Sequence, residues 1–520
     1  MKSGSLTSCL ERTAAAMPGK VMFIDEYGSI TFGDFVEKAR RLGRALRKYI
    51  DEGGDGVAVI VDKSIRAPLV YAAVMYAGSF YLPIDSTLPT ARKKQLIGIA
   101  STPLLLVAAR GQDADELGFT GMTLAYDDLE ALASGPAGNA DDGDGRDAAS
   151  QAALSDTGAP EGGDPLCVIF TSGSTGTPKG VTLSHSAVLR YLEDFARIVG
   201  LGPEDRLAGQ SPPDYVAALR DLYFPFICGA STCLAPKRLF SFPTGLFEYL
   251  NEHRATALFW VAPVLSYCAE FKVFDAVGLD TVNKVVFTGS VLPSAHLRYW
   301  QNHLPGAMFM NHYGPTEATA TVSYYIVSHA VAESEDLPIG VPLPAVGVEL
   351  LGEDALPVAE GEIGEIYVRG GGLAIGYWRD ADLTARSFPV LTVGGRAAER
   401  YFRTGDMGRL LPDGNLAFHG RKDLLIKLMG HRVELAEIER AAARLDGVTE
   451  AICVYDPERT LLTLFYTGPA TDGNLAKYLR MNLPDFMIPR RFHGLGEIPR
   501  LPGGKPDRRH LRDLAIDLAS

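Results

Sequence analysis

The sequence predicts an α/β protein built on largely parallel sheets, and three observations carry that reading. Short apolar runs rich in β-branched residues, such as Gly56-Val-Ala-Val-Ile-Val61, have the length and composition of buried strands. Helix-like stretches follow them, as over 67–77, before the next strand-like run Tyr81-Leu-Pro-Ile-Asp85. Strand and helix alternating in this way are the signature of parallel sheet with helical crossovers.

The elements follow in order. Thr31 and Asp34 make a capping-box-like start, and Phe35, Leu42, Leu46 and Tyr49 then fall on one face of a helix ending near Ile50. From about 133 to 164 the composition shifts to Gly, Ala, Asp and Ser, which bury too little to offset ordering entropy, so a flexible loop is expected. Cys167-Val-Ile-Phe170 is another buried strand, followed by a helix over 189–199 and a strand near 232–234. Val285-Val-Phe-Thr-Gly289 and Met308-Phe-Met-Asn311 are strands ending at loops, where open α/β sheets hold ligands. Past Gly340 short strands with turns take over, including Gly364-Glu-Ile-Tyr-Val-Arg369. Beyond a break at 420–423, strand runs at 451–455 and 461–466 and helical pieces at 435–445 and 475–483 suffice for a small α+β domain. A chain of 520 residues exceeds what one core usually serves, so at least two domains are expected.

Composition narrows the functional classes. Nearly half the residues are apolar (47%), yet no run reaches the length of a membrane span, and the N-terminus lacks the apolar stretch of a secretory signal. The six cysteines are scattered without a CxxC pair and read as reduced core residues of a cytoplasmic protein. A formal charge of −13 argues against general nucleic-acid binding. No membrane partner is expected.

The chemistry concentrates in four stretches. In the first, the strand at 167–170 runs into Thr171-Ser-Gly-Ser-Thr-Gly-Thr-Pro-Lys-Gly180. Gly173, Gly176 and Gly180 permit close backbone approach, so N–H groups can converge on an anion. The hydroxyls of Thr171, Ser172, Ser174, Thr175 and Thr177 add donors, and Lys179 adds a mobile positive charge. This is a polyphosphate clamp, although GxxxxGK[ST] is absent. The second stretch is Asn311-His-Tyr-Gly-Pro-Thr-Glu317, where a turn at Gly314 sets an aromatic, a hydroxyl and a carboxylate on one rim. Tyr313 can stack on an adenine, Thr316 can meet an α-phosphate, and Glu317 can bind Mg²⁺. The third, Tyr401-Phe-Arg-Thr-Gly-Asp406, offers Asp406 to ribose hydroxyls. The fourth is Pro499-Arg-Leu-Pro-Gly-Gly-Lys505, with a lysine after two glycines on an extended loop.

With these motifs the chain resembles the adenylate-forming superfamily, which comprises acyl-CoA synthetases, luciferases and adenylation domains of nonribosomal peptide synthesis. The resemblance implies a large N-terminal domain over 1–420 holding ATP and a carboxylate substrate, a hinge at 421–423 centred on Asp423, and a small mobile C-terminal domain over 424–520. It implies that Gly289, Asn311, His312, Tyr313 and Gly314 border the nucleotide. It further implies that Phe418 and Arg421 pack against or bond the ribose, that Lys427 and Gly430 face a pantetheine channel, and that Lys505 stabilises charge at the α-phosphate. The implied reaction uses ATP and Mg²⁺ to form an acyl-adenylate, with Lys179 and the glycine loop holding pyrophosphate. Transfer to the phosphopantetheine thiol of a separate carrier protein follows, because neither a condensation motif nor a carrier attachment site is present. Eight Lys/Arg against three Asp/Glu over 480–512 would suit an acidic carrier. A CoA ligase is the nearer alternative, and a catalytically silent nucleotide-binding scaffold the more distant one.

Relatives that activate amino acids carry an Asp that holds the α-ammonium. The corresponding stretch here is Tyr215-Val-Ala-Ala218, with Val216 at that position and Arg220 where a large apolar residue is common. The other pocket positions by this alignment are Ala217, Val264, Val286, Thr288, His312, Ala320 and Thr321. A buried ammonium beside valine would lack a counter-charge, at a cost of roughly several kcal/mol. Either the substrate lacks a free α-amine and carries a second carboxylate or other acceptor for Arg220, or Asp214 takes the anchoring role. Arg220 pairing only with Asp221 is the third option.

Overall fold

The computed structural model describes residues 4–50, 55–134, 161–173, 177–333, 335–422, 425–457, 459–501 and 506–518. Most of the loop expected over 133–164 lies outside the described residues.

Three sheets form the larger part of the molecule. A nine-stranded sheet has a parallel centre in the order Met308–Tyr313, Lys284–Thr288, Ala257–Val261, Arg206–Gly209, Ser231–Leu234 and Val21–Asp25, with antiparallel edges. A seven-stranded sheet sets Pro165–Thr171, Tyr81–Asp85, Val57–Val61, Leu104–Val107 and Met122–Ala125 side by side in parallel. The Val57–Val61 strand is buried at every residue, as a central strand covered on both faces must be. Each of its valine and isoleucine side chains contributes about 1.5–3 kcal/mol by leaving water. The capping reading at Thr31 holds. Its hydroxyl accepts from the Asp34 N–H at 3.2 Å, and the helix runs Phe32–Leu46 with one 3₁₀ turn beyond.

The short strands past 340 form an antiparallel sheet of Val346–Leu351, Ile363–Gly370, Glu399–Leu410, Val390–Leu391 and Leu416–Arg421. From Leu425 onward the chain makes its own hairpin, Leu425–Leu428 with His431–Glu434, and a three-stranded sheet of Glu450–Asp456, Leu461–Thr467 and Arg491–Gly494. Leu428, Val433, Ile438, Leu464, Leu475 and Leu479 build a separate core there. All six cysteines are free, and five of them are buried. Among the described residues no helix is long and apolar enough to cross a membrane.

Candidate active site

The site lies at the carboxyl ends of three neighbouring parallel strands, where Val261, Thr288, Gly289 and His312 line one cavity. Tyr215, Val216, Ala217 and Arg220 supply a second wall from the start of the Ala218–Cys228 helix. Ala320 reaches the cavity after two consecutive left-handed residues, Thr319 and Ala320 (φ 54° and 69°). Asp406 and Arg421 enter from the antiparallel sheet, and Lys427, Gly430 and Arg432 from the C-terminal hairpin. The Tyr215 hydroxyl donates to the Gly430 carbonyl, which ties hairpin to wall.

The glycine-rich segment follows the Pro165–Thr171 strand, which lies where the sequence places it. A Cβ on Gly173 would run into the Thr177 carbonyl oxygen, so this turn requires glycine. The Ser172 hydroxyl donates to the Arg432 carbonyl at 2.8 Å. Lys179 opens the returning strand, with its ammonium 3.8 Å from Glu317 Oε1. Burial and the neighbouring Arg432 push that ammonium down to about 8, against the pull of Glu317. Ser174, Thr175 and Gly176 lie outside the described residues.

Thr316 and Glu317 occupy a single 3₁₀ turn after the Met308–Tyr313 strand. Glu317 is fully buried and satisfied. It accepts from the Tyr377 hydroxyl at 2.7 Å and from Arg432 Nη1 at 3.0 Å and 2.8 Å through its two oxygens. Burial works against its charge, but Arg432 and Lys179 outweigh it and hold the carboxyl at about 2. Sequence reasoning missed both Arg432 and Tyr377 as partners of Glu317. The segment Met429-Gly-His-Arg-Val-Glu434 held a visible signal, an arginine two residues past the hairpin's glycine turn.

Asp406 accepts from the Tyr313 hydroxyl and from Arg421. Phe418 lies 6.3 Å from the Tyr313 ring, and the Lys427 ammonium sits 5.3 Å from its centroid. The ring expected to stack on adenine is therefore buried under the hairpin in this arrangement. The Asn311 amide donates to the Pro338 carbonyl at 2.9 Å, and Asn311 is not among the residues that line this cavity. Gly314 does line it.

On the Ala218–Cys228 side of the cavity Arg220 is 1% exposed, and its Nη1 donates to His312 Nε2 at 2.5 Å. His312 Nδ1 then faces Thr321 Oγ1 at 3.1 Å, the pattern of a neutral imidazole with its proton on Nδ1. Burial, helped by Arg220 and Lys427, drives the His312 pKa far below its usual range and keeps the ring neutral. Asp221 turns its Oδ2 to the Ser211 N–H and feels the Arg220 charge, while the guanidinium hydrogen-bonds to His312 and to the Ala217 carbonyl. Thr321 stands behind His312. Two expected pocket residues are displaced. Val286 packs in the main core two residues deeper than Thr288 on the same strand, and Val264 packs against the second core. Asp214 faces a different cavity from the one Arg220 lines. Asp423 and Lys505 lie outside the described residues.

Comparison with known proteins decides the family, since residues 10–378 match the AMP-binding enzyme family. The chain belongs to it. This AMP-binding enzyme is 30% identical over 496 residues to an L-proline--[L-prolyl-carrier protein] ligase of Streptomyces coelicolor, covering 93% of this chain and 91% of that one. It is also 30% identical over 532 residues to novobiocin biosynthesis protein H of Streptomyces niveus, covering 98% and 83%. Among solved structures, NpsA-ThdA of Klebsiella oxytoca, an artificially fused adenylation–PCP di-domain, superposes with a TM-score of 0.81 at 22% identity, covering 100% and 97%. That likeness shows the adenylate-forming fold. The protein is thus a ligase-type enzyme related to adenylation domains and carrier-protein ligases.

Proposed function

We propose that this enzyme activates a carboxylic acid as its acyl-adenylate, releasing pyrophosphate from ATP, and passes the acyl group to the phosphopantetheine thiol of a separate carrier protein. The acid lacks a free α-amine and carries a second carboxylate or comparable acceptor. The observation that carries this reading is the Arg220 guanidinium, buried at the end of the acyl cavity with a neutral histidine as its hydrogen-bond partner. A buried guanidinium with remaining donors favours an oxyanion ligand. The apolar Val216 at the ammonium-anchoring position and the orientation of Asp214 toward the other cavity support the same choice.

Lys179 and the Thr171–Gly173 backbone supply positive charge and N–H donors for the leaving pyrophosphate, and Thr316 stands at the α-phosphate. Catalysis of this kind is positioning and charge neutralisation. Lys505 adds charge to the attacking step. Among the described residues no group of three or more His, Cys, Asp or Glu is gathered to hold a metal. One buried carboxylate, Glu317, fits Mg²⁺ that arrives with the triphosphate, since that ion is commonly held by one or two carboxylates plus substrate phosphates. Such an ion would neutralise phosphate charge there. The carrier is favoured as acceptor by the relatedness to a carrier-protein ligase.

The test is pyrophosphate release with a panel of succinic, glutaric and 2-oxoglutaric acids against L-alanine, L-valine, L-phenylalanine and L-proline. Release with the dicarboxylic acids is expected. Stronger release with a plain α-amino acid would reject the Arg220 reading. Thioester formation with a phosphopantetheinylated carrier and with CoA then separates carrier ligase from CoA ligase.

A further inference from the structure

A second cavity, of about 290 Å³, lies between the end of the Tyr81–Asp85 strand and the C-terminal residues Asp485 to Met487. Tyr215, Thr316 and Arg432 line both this cavity and the acyl cavity. They form the partition between the two, so a long flexible thiol entering through the second cavity meets the acyl cavity beside Thr316. Asp214 belongs to the wall of the second cavity alone.

The surroundings of Asp214 distinguish it from an ordinary surface carboxylate. Its Oδ2 accepts a hydrogen bond from the Asp85 backbone N–H at 3.3 Å, and the adjacent Pro213 carbonyl is held by the Tyr71 hydroxyl at 3.1 Å. Asp85 is the like charge that acts on it, and Lys237 a cation that acts against that repulsion. Tyr215 adjoins it, and Arg92, His431, Arg432 and Asp485 line the rest of the cavity. Burial, then repulsion from Asp85, raises the Asp214 carboxyl to about 7, more than Lys237 can offset. A carboxylate in a cleft with its proton affinity tuned to neutral pH is suited to proton transfer.

Resting on the two-step reading above, we propose that Asp214 takes the proton from the incoming thiol in the acyl-transfer step. The S–H bond breaks and its proton passes to the Asp214 carboxylate. The sulfur attacks the acyl carbon, a C–S bond forms, and the C–O bond to the adenylate phosphate breaks with its electron pair leaving on AMP. Asp214 returns its proton to water through the second cavity. A thiol ordinarily titrates near 8.5, about one to two units above this carboxyl, so the transfer is close to balanced.

The experiment supplies ATP, Mg²⁺ and the panel acid giving the most adenylate, then either pantetheine or hydroxylamine as acceptor. Hydroxylamine traps the adenylate as a neutral amine without prior loss of a thiol proton. In Asp214→Asn, pantetheine thioester should form about 100-fold more slowly, with hydroxamate within twofold of wild type. The wild-type thioester rate should rise with pH through a midpoint near 7, and this limb should vanish in Asp214→Asn. Asp85→Asn should move the midpoint to lower pH, because removing a neighbouring negative charge eases ionisation. Equal thioester rates, an unmoved midpoint in Asp85→Asn, or a parallel loss of hydroxamate would each overturn the proposal. A wild type that forms no hydroxamate with any panel acid would overturn the adenylation reading itself, and this step with it.

Discussion

Arg432 Nη1 lies 2.8 Å from Glu317 Oε2, joining the C-terminal hairpin to the carboxylate at the centre of the candidate nucleotide site. The Ser172 hydroxyl and the Arg432 carbonyl reinforce the same contact at the phosphate loop. The hairpin thus stands over the groups assigned to the triphosphate. On the proposed role of Glu317, a metal–nucleotide complex would take the place that Arg432 holds at this carboxylate.

Removing Arg432 strips a fully buried carboxylate of its main counter-charge. Breaking such a pair from one side costs about 3–5 kcal/mol, lessened here because Tyr377 and Lys179 remain. Arg432→Ala should therefore raise amide hydrogen exchange across 425–434 at least tenfold. Unchanged protection would show that the ion pair does not hold the hairpin.

The pH dependence of that contact follows from the direction of the Glu317 shift. Its carboxyl is held below its ordinary 4.5, at about 2, so the stabilisation is complete above about 4.5 and is lost as pH falls through about 2. Wild-type protection of the 425–434 amides, corrected for the intrinsic pH dependence of exchange, should accordingly be the same at pH 5 and pH 7. Wild-type protection that falls between pH 7 and pH 5 would contradict the pairing.

Arg220→Ala should raise KM for the preferred dicarboxylic acid about 10- to 100-fold, the worth of hydrogen bonds to a charged group, with KM for ATP unchanged. Steady-state pyrophosphate release measures both. An equal rise in the two KM values would mean that Arg220 supports the site as a whole.

Gly430 sits at φ 82°, and a Cβ there would come within 2.5 Å of Val261 Cγ1. Gly430→Ala should hinder the hairpin from seating and slow thioester formation about tenfold, with acid-dependent pyrophosphate exchange retained. Loss of exchange in parallel would place Gly430 in the adenylation step instead.

Much of this arrangement was legible in the residues. Val57–Val61, the phosphate loop and the Thr316–Glu317 turn announce themselves because local pattern and chemistry coincide in a few consecutive positions. The partnership of Glu317 with Arg432 and Tyr377 was not legible, since it joins residues 115 and 60 positions apart and depends on where the hairpin docks. The packing of Val264 and Val286 was not legible for a similar reason. Their apolar character suits a pocket wall and a packed core equally, and only tertiary packing assigns them to the core. Asn311 likewise carries a polar side chain at a strand end, and only the position of the Pro338 carbonyl shows where its amide goes.

The most direct measurement is acid-dependent exchange of labelled pyrophosphate into ATP, compared between the wild type and Glu317→Gln. The wild type should exchange with a dicarboxylic acid, and the variant should lose about 100-fold, the scale of removing one preorganised electrostatic group. Absence of acid-dependent exchange in the wild type, or full exchange in Glu317→Gln, would contradict the assignment of this site to adenylate formation.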